Sequence, residues 1–306
     1  MSELKNDNIY TIGEVDFSKK SFVDDSLVLL RNVFPHTVFS KEWWDWKYLR
    51  NPFGKPLGWF TECNHELVGL RLLIPNRFRI GDDIFTGYQL VDTATHPDHG
   101  RKGIFSAMTK KAIEKIETEN SFFFNFPNEN SLPGYIALGW RQISDMNWYF
   151  SITGYGSLFR KFKEGSFKIP VMSQKKFMYN ACTDWNEASM NWRFATHPFN
   201  KYYSFNGSDK EFMIYKIRIV KNIKTAVIML GQSADYKILC SEFLKYLAIN
   251  GITAVMYNGL NSGIIDFFSS RFIVLRSASK MHYTTRNVPS RLNGKLLFEL
   301  ADTDSY

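Results

Sequence analysis

The chain is poor in cysteine and shows no arrangement of residues typical of a metal site. Its three cysteines are Cys63, Cys182 and Cys240. An odd number of widely spaced cysteines without a Cys-x-x-Cys pair argues against a disulfide framework and against a structural zinc site. His96 and His99 are three residues apart, but they flank a proline in a turn, which disfavours a ligand pair. We therefore expect no metal and a reducing compartment.

Long apolar runs and targeting segments are also missing. No run approaches the roughly 20 apolar residues of a membrane-spanning helix. The first residues, Met-Ser-Glu-Leu-Lys-Asn-Asp, are polar and lack the apolar core of a signal peptide. Together with the cysteine pattern, these absences predict a cytoplasmic protein without a membrane span.

Clustered positive charge is scarce, although the formal net charge is +8. The basic residues are mostly dispersed, and no RNA-binding motif, zinc finger or basic tail accompanies them, so we do not expect nucleic acid as a partner. Binding of a phosphate-rich small molecule explains the positive charge at least as well as binding of nucleic acid does, and a requirement for solubility explains it too. Hydrophobic residues make up 44% of the chain, enough for substantial cores, and 306 residues fit two domains or one large one.

The most informative segment present is a basic, glycine-containing turn after a strand-like run that ends at Thr95. It reads Gly100-Arg-Lys-Gly-Ile-Phe105. Gly100 and Gly103 lack a Cβ and let the backbone turn tightly against a ligand. Arg101 and Lys102 add two cations, and the amphipathic helix behind them offers unpaired N–H groups and the positive end of its dipole. A pyrophosphate group fits such a cradle; the alternative is an ordinary turn with two solvated cations.

Hydrophobic patterning around this turn predicts the order of the elements. In the first half, strands are expected near 58–63, 66–78, 83–95 and 121–126, and a short helix near 130–138. In the second half, strands are expected near 211–219, 224–230 and 252–257, and a helix near 236–249. Meandering strands that pass into alternating strands and helices give a mixed sheet.

This order over roughly residues 58–150 resembles the GNAT acyl-CoA N-acyltransferases. Their signature is a strand, a proline, a Gln/Arg-x-x-Gly-x-Gly/Ala loop, a helix, a strand, an asparagine and a downstream Tyr-x-x-x-Gly-Phe. The counterparts in this chain are Pro97, residues 100–105, Asn128 and residues 135–140. Gly100 and Phe105 depart from the loop pattern, whereas Gly103 matches it.

The resemblance implies direct attack by an amine on the thioester of acetyl-CoA or another acyl-CoA, without a covalent enzyme intermediate. Tyr135 occupies the family's tyrosine position and would protonate the departing thiolate; the alternative is a packed core tyrosine. Asn128 would hold the pantetheine arm, or it is a turn residue after a proline. The residues assigned to acyl-CoA binding are Thr95, Gly100, Arg101, Lys102, Gly103, Ile104, Phe105, Asn128 and Ser131.

Fewer residues point to the amine acceptor. Asp92 is the only carboxylate between Tyr88 and Thr95, and it could deprotonate the amine, bind the ammonium form or cap a turn. Gln89 lies on the same strand and would orient the acceptor. Trp43 and Trp44 have flat rings that suit a sugar or a nucleobase, although such clusters belong to the core more often.

An internal repeat indicates two similar halves. Trp46-Lys-Tyr-Leu-Arg-Asn-Pro-Phe53 matches Trp192-Arg-Phe-Ala-Thr-His-Pro-Phe199 in tryptophan, cation, aromatic, proline and phenylalanine. The second half lacks the cofactor turn, because Gly231-Gln-Ser-Ala-Asp-Tyr236 has one glycine and no arginine. We predict an α+β protein of two tandem GNAT-like halves, each a mixed, mostly antiparallel sheet flanked by helices. The predicted division is a catalytic domain at 1–150, a linker at 151–175 and a degenerate domain at 176–306.

The leading interpretation is an acyl-CoA-dependent N-acyltransferase with a small-molecule amine as acceptor. The chain also resembles the two-part GNAT proteins of bacterial surface-polysaccharide biosynthesis, through residues 46–52, Phe-Pro-Asn at 126–128 and Asp302-Thr-Asp304. That resemblance implies an amino sugar or a nucleotide-linked amino sugar. Two alternatives stay open: a peptidoglycan-type aminoacyl transferase that takes aminoacyl-tRNA and needs no CoA loop, and a non-catalytic GNAT-fold scaffold that binds a ligand.

Overall fold

The structure is a computed structural model that describes residues 10–116, 118–172, 180–207, 210–269, 273–275 and 281–303. The strands are β1 (Tyr10–Glu14), β2 (Leu57–Cys63), β3 (Glu66–Ile80), β4 (Asp83–Thr95), β5 (Ser121–Asn125), β6 (Arg141–Met146), β7 (Trp148–Ile152), β8 (Cys182–Thr183), β9 (Tyr202–Asn206), β10 (Phe212–Val220), β11 (Ile223–Gln232), β12 (Ala254–Asn258), β13 (Ile273–Leu275) and β14 (Met281–Arg286). The helices are α1 (Lys20–Val33), α2 (Lys41–Trp44), α3 (Ile104–Ile116), α4 (Leu132–Ala137), α5 (Glu187–Met190), α6 (Tyr236–Ile249) and α7 (Ser262–Ser269).

The predicted α+β class is confirmed. One sheet has the strand order β1-β2-β3-β4-β5-β14-β6, and the other has the order β13-β7-β12-β11-β10-β9. Most neighbouring strands are antiparallel, but β4 and β5 are parallel, as are β11 and β12. The parallel pairs occur where a helix connects the two strands, because a parallel pair needs a long crossover.

The chain folds into two compact units that are not contiguous in sequence. The first consists of residues up to Phe78, Ile84–Ile143 and Thr284–Arg291; the second consists of Arg79–Asp83, Ser144–Tyr283 and the residues from Leu292 onward. This differs from the predicted division at 150 and 176, which assumed contiguous halves. The reason is strand pairing: β7 pairs with β12 and β13, whereas the end of β14 pairs with β5. Alternation along a strand does not reveal which strand it will pair with.

The repeated octapeptide adopts the same local structure twice. In each copy a short helix, α2 or α5, continues directly into a π-helical turn, Asp45–Leu49 or Asn191–Ala195. Each helix also begins at a side-chain cap, since Ser40 and Asn186 accept a hydrogen bond from a backbone N–H three residues later. A π-helical turn is rare, so its occurrence at matching positions shows that the repeat is one of backbone structure as well as of sequence.

The core of the first unit lies between the sheet and α3. The predicted amphipathic helix is confirmed, because α3 buries Ile104, Met108, Ala112 and Ile116 along one face. These side chains pack with buried residues of β2 to β5, namely Trp59, Cys63, Val68, Leu73, Leu90 and Phe123. This packing fixes the start of α3, and therefore the glycine turn, relative to the end of β4.

Trp44 belongs to a second aromatic cluster of the first unit. Its side chain is 0% exposed. Its ring contacts Phe17 and Tyr48, with centroids 5.7 and 4.6 Å away, and its Nε1–H donates to the Phe17 carbonyl at 3.1 Å. The ring of Trp44 is therefore packed against other side chains, and its N–H group is hydrogen-bonded within the protein.

We expect Trp44→Ala to lower the free energy of unfolding by about 3–5 kcal/mol, because it leaves a large cavity in a packed site. Urea denaturation followed by circular dichroism measures the change. The control is Phe159→Ala, since that ring is 90% exposed and its loss should cost less than about 0.5 kcal/mol. Equal effects of the two changes would contradict a structural role for Trp44.

Candidate functional site

The candidate site lies where β4 and β5 part. Their parallel pairing runs from Thr86 with Ser121 to Gln89 with Phe124. Beyond this point β4 continues to Thr95, whereas β5 ends at Asn125 and pairs there with Thr284 of β14. Beyond Gln89, β4 therefore extends past the end of its parallel pairing with β5, and an extended ligand arm can pair with a strand at such a place through main-chain N–H and C=O groups.

The glycine turn connects the end of β4 to α3. A 3-10 turn at Pro97–His99 follows β4, and the N–H of Gly100 donates to the Pro97 carbonyl at 3.1 Å. Arg101 and Gly103 then adopt left-handed backbone angles, with φ of 60° and 77°. The space around Gly103 is open, with no atom within 4 Å of the position where a Cβ would lie. Glycine is favoured there for its backbone conformation.

The turn presents the N-terminus of α3 with two nearby cations. The first helical bond at this end joins the N–H of Ala107 to the Gly103 carbonyl at 2.9 Å, so the preceding N–H groups of the first turn have no partner within the helix. Burial lowers the pKa of His99, and Lys102 and His96 lower it further. His99 is therefore neutral at pH 7, and the positive charge of the turn comes from Arg101 and Lys102.

Asn128 and Ser131 shape the start of α4. The Asn128 side-chain carbonyl accepts hydrogen bonds from the N–H groups of Asn130 and Ser131 at 3.1 and 3.0 Å, and from the Ser131 hydroxyl at 3.2 Å. This is the geometry of a turn residue. The amide NH₂ of Asn128 remains as the group that can donate to a ligand.

Tyr135 is buried in α4 and engaged by a cation. Its ring packs against Phe105 and Trp140, with centroid separations of 5.5 and 5.3 Å. Its hydroxyl oxygen accepts a hydrogen bond from the Arg71 guanidinium, with 2.9 Å between Nη1 and Oη. Tyr135 thus has the packing of a core residue and, in addition, a charged partner at its reactive atom.

Arg71 is the functional candidate that the sequence interpretation missed. It lies in β3, is 0% exposed, and donates from Nη1 to the Thr93 hydroxyl at 2.6 Å and from Nη2 to the Thr109 hydroxyl. Burial lowers its pKa. The available signal was a lone cation within the apolar run Leu67–Ile74, because a charged residue is almost never fully buried without a specific partner.

Asp92 adopts an unusual backbone conformation and forms an ion pair. It has φ of 44° in β4, which is uncommon for a residue with a side chain. Its Oδ2 accepts hydrogen bonds from the Lys47 ammonium and the Tyr48 hydroxyl, and the side chains of Lys47 and Asp92 are only 4% and 12% exposed. Lys47 and Tyr48, the cation and the aromatic residue of the first octapeptide, therefore bind the carboxylate that was predicted to act as a base.

Besides Tyr135, four residues predicted at the site have largely buried side chains. Gln89 is 1% exposed and Ile104 is 3% exposed, so their side chains are covered by protein. Trp44 is fully enclosed, and a ring covered on both faces cannot stack on a sugar or nucleobase. Trp43 is 8% exposed, and the Lys47 ammonium lies 5.0 Å from its ring centroid. Ile104 can therefore meet a ligand through its backbone only.

In the second unit, the β11–β12 pair is parallel like β4 and β5, and a buried side chain lies near its end. Parallel pairing of β11 and β12 runs from Thr225 to Ile228, and β11 continues to Gln232. The N–H of Gly231 donates to Oε1 of Glu299 at 2.9 Å, and the Asn261 amide donates to the same oxygen at 3.3 Å. Glu299 is 1% exposed. A buried carboxylate thus binds the backbone of β11 beyond the end of its parallel pairing with β12.

Two further observations concern the described part of the chain. Within it, no three His, Cys, Asp or Glu residues lie together in an arrangement that could bind a metal ion. None of its helices has both the length and the apolar character needed to cross a membrane.

A family model described as an acetyltransferase (GNAT) domain matches residues 14–143. The match contains β2 to β5 together with the glycine turn, α3 and α4. It therefore includes Arg71, Asp92 and Tyr135. No curated protein sequence matches the chain.

Solved structures of similar shape cover nearly the whole chain. A protein of Enterococcus faecalis described as a "Probable N-Acyltransferase" is 12% identical, with a TM-score of 0.65 over 92% of this chain and 73% of that one. A GCN5-related N-acetyltransferase of Anabaena variabilis is 14% identical, with a TM-score of 0.62 over 90% and 72%. An N-myristoyltransferase of Saccharomyces cerevisiae, with bound myristoyl-CoA, is 11% identical, with a TM-score of 0.55 over 91% and 79%. At these identities the likeness establishes a GNAT-type fold.

Proposed function

We propose that the first unit binds an acyl-CoA and transfers the acyl group to the amine of a small molecule. The observation that carries this proposal is the parting of β4 and β5 beside a left-handed glycine turn at the start of α3. The match of residues 14–143 to a GNAT domain supports it. So do the names of the similar structures, which read probable N-acyltransferase, GCN5-related N-acetyltransferase and N-myristoyltransferase.

The residues of the first unit fit an acyl-CoA. The N–H groups at the start of α3, from Gly103 to Phe105, would receive the pyrophosphate, and Arg101 and Lys102 would balance its charge. Backbone groups of β4 up to Thr95 would pair with the pantetheine arm, and the Asn128 amide would donate to it. The ligand supplies an activated acyl group as a thioester.

Tyr135 and Asp92 would move the protons. As the amine nitrogen bonds to the acyl carbon and the carbon–sulfur bond breaks, Tyr135 donates its phenolic proton to the departing sulfur. The proton that the amine loses passes to Asp92, directly or through water. Because Lys47 and Tyr48 already donate to Oδ2 of Asp92, we favour relay of the proton through water.

We also propose the identity of the acceptor and of the acyl donor. An amino sugar, free or nucleotide-linked, follows from the resemblance to two-part GNAT proteins of surface-polysaccharide biosynthesis, and acetyl-CoA is the simplest donor. A cytoplasmic location agrees with the three reduced, buried cysteines. The matching π-helical turns support a duplication, and the Glu299 bond to Gly231 supports a second unit without cofactor binding.

Calorimetric titration with CoA tests this proposal first. We expect about one site per chain. Gly103→Ala should weaken the affinity by about 10-fold or more, because a left-handed conformation costs roughly 1–2 kcal/mol for a residue with a Cβ and the turn would lose its shape. Gly294→Ala is the matched control, since Gly294 has φ of 70° and equally open surroundings but lies outside the candidate site.

The outcomes separate the alternatives. Release of free thiol from acetyl-CoA, measured with amines that include amino sugars and nucleotide-linked amino sugars, would support acyl transfer. Two CoA sites per chain would contradict the second-unit interpretation. Stabilisation by aminoacyl-tRNA and not by CoA in a thermal shift would favour the aminoacyl transferase, and CoA binding without thiol release from any amine would favour the scaffold.

A further inference from the structure

Arg71 is a buried cation whose hydrogen-bond acceptors are neutral. Its guanidinium contacts three hydroxyl groups, those of Thr93, Thr109 and Tyr135. Its central carbon lies 4.4 Å from the Phe105 ring centroid and 5.2 Å from that of Tyr135. Among the described residues, no carboxylate bonds to it, and its Nε–H has no hydrogen-bond partner. Placing a charge in such a position is costly unless it is compensated.

The chemistry of the guanidinium determines which way the Tyr135 hydroxyl points. A guanidinium has only donors, so the phenolic oxygen accepts the bond from Nη1, and its own proton points away from Arg71. A hydroxyl held in this way is free to donate that proton elsewhere. The same three contacts join β4, α3 and α4 around one guanidinium group, since Thr93, Thr109 and Tyr135 lie in those elements.

We infer that Arg71 is a positioning residue that orients the Tyr135 hydroxyl for proton donation and balances the negative charge left on Tyr135 once the proton is gone. This inference rests on the proposed acyl transfer. The step balances: the O–H bond of Tyr135 breaks, an S–H bond forms on the departing thiol, and the phenolate that remains takes a proton back from water. During that interval, the phenolate is the counter-charge that Arg71 otherwise lacks among the described residues.

A double-mutant cycle tests the inference. We expect Arg71→Met to lower kcat by about 10²-fold, the usual cost of removing one preorganised charge-stabilising donor, with little change in KM for acyl-CoA. In a Tyr135→Phe background, Arg71→Met should lower kcat by less than about 3-fold, because the hydroxyl that Arg71 orients is already absent. Arg71→Lys keeps the charge and should restore part of the lost activity.

Two controls make the result decisive. Thr109→Val removes another acceptor of Arg71 and leaves the Tyr135 bond in place, so it should affect kcat far less than Arg71→Met. Urea denaturation shows whether each variant folds. Replacing a buried charge with an apolar side chain often leaves the free energy of unfolding unchanged, so Arg71→Met is expected to fold. If it does not, the kcat of Arg71→Lys is compared with that of the wild type instead.

The two proposals fail in different ways. Wild-type protein that neither binds CoA nor acylates an amine would overturn the proposed function. If the wild type is active, additive effects of Arg71→Met and Tyr135→Phe on kcat would overturn the role of Arg71 and leave the proposed function intact. A kcat of Arg71→Met equal to that of the wild type would also overturn the role of Arg71 and leave the proposed function intact.

Discussion

Tyr135→Phe should lower kcat by about 10²–10⁴-fold and leave the affinity for CoA nearly unchanged. The substitution deletes a single proton donor, and general acid catalysis by one positioned group is worth about that factor. The ring contacts with Phe105 and Trp140 persist, so the shape of the site is kept. The measurement is steady-state turnover under conditions in which chemistry limits the rate, together with calorimetric titration with CoA.

A matched control is Tyr88→Phe, which removes a hydroxyl from a half-buried tyrosine of β4. Its turnover should equal that of the wild type. The Tyr135 variant also takes an acceptor from Arg71, which should reduce stability by about 1.5–3 kcal/mol, as expected for a hydrogen bond to a charged group. Unchanged turnover in the Tyr135 variant would remove this residue from the mechanism.

Asp92→Asn should lower the free energy of unfolding by about 3–5 kcal/mol at pH 7, because it removes the carboxylate that pairs with the buried Lys47 ammonium. Lys47 is 3% exposed, so water cannot readily replace the carboxylate. Urea denaturation measures the change. Glu114→Gln is the control, since Glu114 pairs with Lys111 at the surface, where the side chains are 64% and 57% exposed, and exposed pairs contribute about 0–1 kcal/mol.

The double variant Lys47→Met/Asp92→Asn separates structure from catalysis. It removes both charges and should be more stable than Asp92→Asn alone. If Asp92 accepts the proton of the amine, the double variant stays as slow as Asp92→Asn although its stability has recovered. A double variant with wild-type turnover would show that the pair has a structural role only. An Asp92→Asn variant as stable as the wild type would show that the ion pair contributes little.

Local patterns in the sequence were sufficient to predict β2 to β5, α3 and α4 of the first unit. The apolar stripe of α3 and the partial alternation along β2 and β4 reflect which faces of a helix or strand are buried, because residue spacing determines the face on which a side chain lies. The short aromatic run of β5 predicted a strand buried on both faces, and all five of its residues are buried. Gly103 marked a turn because its backbone angle, φ of 77°, favours glycine.

Side-chain partners were decided by the tertiary structure. Lys47 and Asp92 are 45 residues apart in the chain, and Arg71 and Tyr135 are 64 apart. Neither pair has a periodic signal, because spacing records the face on which a residue lies and not the element that covers it. For the same reason, the sequence left open whether Trp44 lies in the core or contacts a ligand, and whether Asn128 shapes a turn or holds the pantetheine arm.

The sequence by itself therefore determined the α+β class, the glycine turn at the start of α3 and the short helix that contains Tyr135. Only the tertiary structure placed β7 in the second sheet and β14 in the first, enclosed Arg71 among neutral hydroxyls, and brought Glu299 to the backbone of Gly231. Each of these depends on which segments distant in the chain meet. That choice is made by the packing of whole elements, since each buries its apolar face and satisfies its backbone groups against the others.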